Sequence, residues 1–231
     1  MAHSHALRAV AFDLDNTLWD VDPVLARAEE RWLAWLQEHC PRIPERLSLD
    51  DLRASRLALA AREPHNAHDF SYLRIASLAQ HARECGYDES ISEAAFEIFM
   101  AARNQLELFA DVAPGLNRLR ARYALASFSN GNADLGRIGV ADLFSVSLNA
   151  RSVGTAKPDR RCFERLVQDL RLEPHEVIYV GDDPLLDVEA ARSAGLLTAW
   201  MNRTGQLWPA SVRPADFNVE DCIGLAAALG T

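Results

Sequence analysis

Leu7-Arg8-Ala9-Val10-Ala11-Phe12-Asp13-Leu14-Asp15-Asn16-Thr17 is the stretch whose reading decides the fold. Its nearly unbroken apolar run through Phe12 predicts a short strand covered on both faces, as in a parallel sheet. The run stops at two carboxylates. Asp13 and Asp15 are two apart, so in extended backbone they point to the same side. Side by side they repel unless a cation or a proton is shared between them.

Beyond about residue 112 strand and helix alternate. The pattern predicts strands over 124–128, near 144–148, and over 177–180, 196–201 and 217–219. Helices are expected over 116–122, 133–139, 159–170, 185–194 and 223–229. Such alternation argues for a doubly wound parallel sheet. Four helical tracts fall between the first strand and the rest. Val24, Leu25, Ala28, Trp32, Trp35 and Leu36 recur at helical spacing after Pro23. Pro41 and Pro44 break that helix, a second follows over 49–59, a third runs over 70–85 to Gly86, and a fourth spans 92–108. The chain is therefore expected to be an α/β core (residues 1–18 and 112–231) carrying an inserted all-helical cap (19–111).

Composition narrows the function. The 231 residues carry a formal net charge of −9, and without basic clusters nucleic-acid binding is not expected. No stretch approaches the ~20 apolar residues that span a bilayer, so no membrane partner is expected. Residues 1–6 lack a basic segment followed by an apolar run and do not read as a secretory signal. The seven histidines, His3 and His5 among them, show no metal-ligand spacing. Cys40, Cys85, Cys162 and Cys222 lie far apart with no CxxC pair, which reads as reduced thiols in a cytoplasmic protein. An acidic chain acting on phosphate must neutralise charge locally, with a metal ion and a lysine. A monomer or homodimer is expected.

Three predicted strands end in polar residues: the first at Asp13 to Thr17, the next at Ser129-Asn130-Gly131, and another at Gly181-Asp182-Asp183. Ligands of open α/β sheets bind outside the carboxyl ends of the strands, so these segments should converge on one crevice. Asp13, Asp15 and Asp182 then form an oxygen-rich cluster without His or Cys, suited to Mg²⁺; singly, either first-strand aspartate is equally a turn cap. Lys157, before Pro158, either reaches into that crevice or is solvated. Ser129, Asn130 and Gly131 read as a turn capping a helix and as an anion site. Asp187 either positions Lys157 or a metal-bound water, or favours its helix N-terminus by charge.

Together these segments resemble the haloacid dehalogenase-like hydrolase superfamily, subfamily IA with a C1 cap. Asp13-Leu14-Asp15-Asn16-Thr17 resembles its first motif, Ser129-Asn130-Gly131 the second, Lys157-Pro158 the third, and Gly181-Asp182-Asp183 through Asp187 the fourth. The resemblance implies a phosphatase in which Asp13 attacks phosphorus and Asp15 serves as acid, then base. It further implies that Ser129 and Lys157 hold phosphate oxygens with the backbone near Asn130 helping. Mg²⁺ would be held by Asp13, the Asp15 carbonyl and Asp182, with Asp183 and Asp187 supporting. Dehalogenases of the superfamily lack the second aspartate and need no metal. A closer resemblance, carried by Asp15 to Asp20, Ser129 to Asn132, Val180 to Asp187 and Trp200, is to bacterial riboflavin-pathway phosphatases. It implies a small phosphorylated metabolite such as 5-amino-6-(5-phospho-D-ribitylamino)uracil or FMN. Trp19, His68, Phe70 and Tyr72 either stack on such a planar ring or fill the seam beneath a cap. A phosphomutase shares all four motifs, and a non-catalytic phosphate-ligand binding protein is a further alternative.

Overall fold

The computed structural model describes residues 7–231; residues 1–6, including His3 and His5 and the stretch read as lacking a secretory signal, lie outside the described residues. Six strands form one parallel sheet: β1 (Ala9–Phe12), β2 (Ala124–Ser129), β3 (Val146–Asn149), β4 (Val177–Gly181), β5 (Leu197–Met201) and β6 (Phe217–Val219), in the order β3-β2-β1-β4-β5-β6. All four residues of β1 are buried, as the unbroken apolar run requires of a central strand. The chain steps from β1 to β2 and β3 on one side, then returns to the opposite side of β1 for β4, β5 and β6. That reversal places the topological switch point at the carboxyl end of β1, where ligands of such sheets bind. Phe12 is level with Ser127 on one side and Val180 on the other, so Asp13 emerges between two neighbouring strand ends.

The described chain divides into two compact units: residues 7–20, 107–131 and 139–231 form one, and 21–106 with 132–138 the other. In the sheet unit, alternate residues Ala9, Ala11, Ala126, Phe128, Val177 and Tyr179 pack against Cys162, Phe163, Leu166 and Val167 of the helix Arg160–Leu170. Phe163 meets the Tyr179 ring edge-on at 5.0 Å between centroids. The helix Val112–Arg120 begins four residues before the expected 116 because Pro114 lies in its first turn, where a missing N–H costs nothing. Gly115 lets that helix press against the helix Cys222–Ala228: a Cβ at 115 would stand 2.4 Å from Cys222 Cβ.

In the helical unit, α1 (Asp22–His39), α2 (Leu49–Arg62), α3 (Phe70–Glu84) and α4 (Ile91–Arg103) bury Ala28, Trp32, Leu36, Leu52, Leu78, Ala82, Ala95 and Phe99. Ser48 and Asp51 make a reciprocal capping box at the start of α2. α4 stops before the expected 108 because the Asn104 amide turns back to the Met100 carbonyl (2.8 Å) while its oxygen accepts from the Asp134 N–H (2.8 Å). Among the described residues, no helix is long and apolar enough to cross a membrane.

Candidate active site

The first strand end is built by backbone geometry. Asp13 donates its N–H to the Val180 carbonyl (2.8 Å), extending the sheet by one step. The chain then folds back: Leu14 accepts from the N–H groups of Thr17 and Leu18, and the Asn16 N–H reaches the Trp19 carbonyl (2.8 Å). Asn16 takes a φ of 60° there, a left-handed conformation that asparagine tolerates better than most residues. Trp19 is fully buried, and its Nε1 donates to Asp15 Oδ1 at 2.7 Å. That charge-assisted bond orients the Asp15 carboxyl group.

Lys157 is buried and stands at the centre of the polar cluster. Its Nζ donates to Asp13 Oδ1 (2.6 Å), Asp187 Oδ1 (2.6 Å) and the Tyr179 hydroxyl (3.1 Å). Tyr179 in turn donates a hydrogen bond from its hydroxyl to the Phe128 carbonyl (2.7 Å). The lysine backbone is held by Asn130, which donates its amide N–H to the Lys157 carbonyl (3.0 Å) and accepts from the Lys157 N–H (2.7 Å). Thus Asn130 directs its side chain to the lysine loop. The neighbouring Ser129 hydroxyl accepts from the Gly131 N–H (3.0 Å).

The β4 end supplies the remaining carboxylates. Asp182 accepts from the Thr17 hydroxyl (3.3 Å), and its carbonyl accepts from Trp200 Nε1 (2.8 Å). Asp183 caps the next turn, accepting from the N–H groups of Leu185 and Leu186 (2.7 and 2.8 Å). That turn, Pro184–Glu189, is π-helical instead of the ordinary helix expected over 185–194; the Val188 N–H reaches the Asp183 carbonyl five residues back. Asp187, buried, accepts from the Asp183 N–H (2.9 Å) as well as from Lys157. Asp187 thus contacts Lys157 and also lies in the first turn of its helical segment.

Asp13, Asp182 and Asp187 each bring a carboxylate oxygen within 4.8 Å of the others. One ammonium among three carboxylates leaves surplus negative charge in a dry place. Burial, reinforced by Asp187 and Asp182 and opposed by Lys157, raises the Asp13 carboxyl well above the usual range. Burial and then Asp187 push Asp182 up to about 6. Burial works to lower the Lys157 ammonium, but Asp13 and Asp187 outweigh it and hold its pKa well above the ordinary value. An all-oxygen donor set with uncompensated charge fits a hard divalent cation such as Mg²⁺.

Gly181 makes this packing possible. A Cβ there would stand 2.2 Å from Asp187 Oδ2 and 2.6 Å from its Cβ. Gly181→Ala is therefore expected to push Asp187 off Lys157, costing about 1–3 kcal/mol as overpacking does. Thermal unfolding and steady-state kinetics test this: the melting temperature falls and turnover drops at least about tenfold, in line with the sensitivity of catalysis to misplaced groups. Unchanged values of both would show that Asp187 can move without consequence.

Tyr179 has no part in the sequence motifs, yet it braces the lysine. The signal available was a tyrosine inside a wholly apolar strand, whose hydroxyl must find a partner once buried. The residues expected to meet a planar ring are distributed differently. Trp19 is buried and committed to Asp15, while in the helical unit Tyr72 donates its hydroxyl to Glu63 (2.7 Å), His68 is half-buried, and Phe70 is exposed.

Comparison with known proteins places this constellation. A family model described as haloacid dehalogenase-like hydrolase matches residues 7–195. The chain is 28% identical over 216 residues, 90% of each chain, to the 5-amino-6-(5-phospho-D-ribitylamino)uracil phosphatase YigB of Escherichia coli. It is also 28% identical over 207 residues to the N-acetylmuramic acid 6-phosphate phosphatase of Pseudomonas putida, covering 88% of this chain and 86% of that one. A crystal structure of 2-haloacid dehalogenase from Pseudomonas syringae pv. Tomato DC3000 superposes with a TM-score of 0.92 at 32% identity, covering 96% of this chain and 98% of that one.

Proposed function

The chain belongs to the haloacid dehalogenase-like hydrolase family, and on that premise we propose that it is a cytoplasmic, magnesium-dependent phosphatase acting on a small phosphate monoester through an aspartyl phosphate on Asp13. The observation that carries this reading is the buried Asp13 carboxylate at the switch point, bonded to Lys157, with the Asp15 carboxyl held two residues away by Trp19. Phosphatases among the relatives support it, and four buried unpaired cysteines agree with a reducing compartment.

In this mechanism an Asp13 oxygen bonds to phosphorus as the ester P–O bond breaks, and Asp15 gives its proton to the departing alcohol oxygen. Water then attacks phosphorus, Asp15 takes its proton, and the Asp13–phosphorus bond breaks to release inorganic phosphate. Ser129, whose Oγ accepts from Gly131, has its hydroxyl proton to donate to a phosphoryl oxygen. Lys157 offsets charge on the same group while holding Asp13 in place. Asp13, Asp182 and the Asp15 carbonyl, with Asp187 in the same cluster, would hold Mg²⁺, whose charge would favour ionised Asp13 and stabilise the transferring oxygens.

For the substrate we favour 5-amino-6-(5-phospho-D-ribitylamino)uracil or FMN, supported by the likeness to YigB along most of both chains. Inorganic phosphate release from a panel of esters, with and without Mg²⁺, tests function and substrate together. Magnesium-dependent turnover with both of these ahead of sugar phosphates is expected; far faster hydrolysis of sugar phosphates would remove the substrate assignment. Dehalogenase chemistry is a second reading, favoured by the close superposition on 2-haloacid dehalogenase. Asp15 weighs against it, as a proton donor that ester cleavage uses. Chloride release from 2-chloropropionate in EDTA, without phosphate release from any ester, would reverse the choice.

A further inference from the structure

The helical unit contains a cavity of about 630 Å³ lined by both charged and apolar side chains, within the size range of small-molecule sites. Glu29, buried, is shared by three guanidinium groups of this lining: Arg53 pairs with it closely, Arg56 lies 3.1 Å away and Arg74 3.5 Å away. Arg74 is 9% exposed and lies over the Phe99 ring, 3.6 Å from its centroid. Among the described residues its Nη1 has no hydrogen-bond partner. A buried guanidinium N–H without an acceptor carries its full desolvation cost. Burial, with Arg56 adding, lowers the Arg74 pKa to about 9 against the opposing pull of Glu29. Asp22, exposed, is the other acid in the lining, and Arg53 has a second carboxylate of its own in Asp50 (2.9 Å), so the group left unmet is the Arg74 N–H. Leu57 and Phe70 of the same lining are 73% and 50% exposed, large apolar side chains facing water.

We infer that this cavity binds an organic monocarboxylate, its head on Arg74 and Arg56 and its aromatic or aliphatic body against Phe70 and Leu57. A carboxylate matches the guanidinium fork in shape and gives the unpaired N–H its acceptor. The inference does not rest on the phosphatase reading, since every residue it uses belongs to the helical unit.

Calorimetric titration of the full chain with 2-naphthoate, and with 2-naphthamide as its neutral counterpart, is the test. Saturable binding of naphthoate is expected, at least about tenfold tighter than that of the amide, because only the acid makes the charge-assisted pair. Arg74→Gln should weaken naphthoate at least about tenfold for the same reason. Leu57→Glu, at an exposed position that tolerates substitution, should weaken it about as much by placing a like charge in the wall. Asp13→Asn should leave it within about twofold, because no residue proposed to hold the ligand belongs to the sheet unit. Where Arg74→Gln fails to fold, Leu57→Glu decides. Absence of saturable binding, equal binding of acid and amide, naphthoate binding undiminished in the folded variants, or its loss in Asp13→Asn would each overturn the site.

Discussion

On the proposed mechanism Asp13→Asn is expected to lower turnover by about 10⁴-fold or more, as for loss of a covalent nucleophile, yet the variant should be no less stable than the parent in the absence of magnesium. Both results follow from the same geometry. The Asp13 carboxylate is buried beside Asp182 and Asp187 with Lys157 donating to it, and burial together with those neighbours raises its pKa well above the usual range. A carboxyl group that binds its proton more tightly folded than unfolded subtracts from stability wherever it must be ionised. The penalty is therefore full above the raised folded pKa, fades as pH falls from there toward the unfolded value, and is gone below it. Asparagine never ionises, can still accept from Lys157, and escapes the penalty. In EDTA at pH 8 the melting temperature of Asp13→Asn should equal or exceed that of the parent. Added Mg²⁺ should raise the parent more than the variant, because a ligand stabilises by its affinity for the native state and the variant lacks one carboxylate. A variant that melts well below the parent in EDTA would mean that the Asp13–Lys157 bond outweighs the repulsion.

Most of what positions Asp13 is written in local sequence. An apolar run of β1 length that stops at two aspartates gives both the central strand and its exit into the crevice, because nothing else buries on both faces and then turns polar. Ser129, Lys157 and Asp182 follow the same logic at later strand or loop ends. The supporting contacts were harder to see, since they depend on three-dimensional neighbours without a periodic signal. Trp19 looks like any aromatic near a domain seam until its indole N–H is found on Asp15. Asn130 sits in a motif associated with phosphate, but its amide closes on the Lys157 backbone, 27 residues away. Tyr179 hides in an apolar strand, its hydroxyl linking Phe128 to Lys157. The π-helical turn that aims Asp187 inward is likewise invisible to a periodicity of 3.6, because Asp183 sets it by capping two N–H groups at once.

Lys157→Met should be damaging in both activity and stability, and pH separates its causes. The ammonium donates to Asp13, Asp187 and Tyr179 from a fully buried position. Removing it leaves carboxylates facing one another without a counter-charge. Breaking a buried ion pair from one side costs about 3–5 kcal/mol, which for a chain of this size corresponds to a fall of roughly 6–20 °C in melting temperature. The Lys157 pKa is raised in the folded state; its stabilising contribution is complete below the unfolded value near 10.5 and is lost only as pH climbs through the raised folded value. Between pH 5 and 8 the lysine itself contributes no pH dependence. The carboxylates do: with Asp182 near 6 and Asp13 raised, acid neutralises the repulsion exposed by the substitution. The stability gap between parent and Lys157→Met should accordingly be wide at pH 8 and narrower at pH 5, measured by thermal unfolding in EDTA. Turnover of the folded fraction should fall about 10²–10³-fold, the usual loss when one charged donor to a developing transition state is deleted. Arginine should not rescue it, since a larger planar fork cannot occupy a slot shaped around an ammonium with three fixed acceptors. A stability gap that stays constant with pH would place the cost in lost packing rather than charge. Undiminished turnover per folded molecule would confine Lys157 to holding the site together and leave the phosphoryl group to Ser129 and the metal ion.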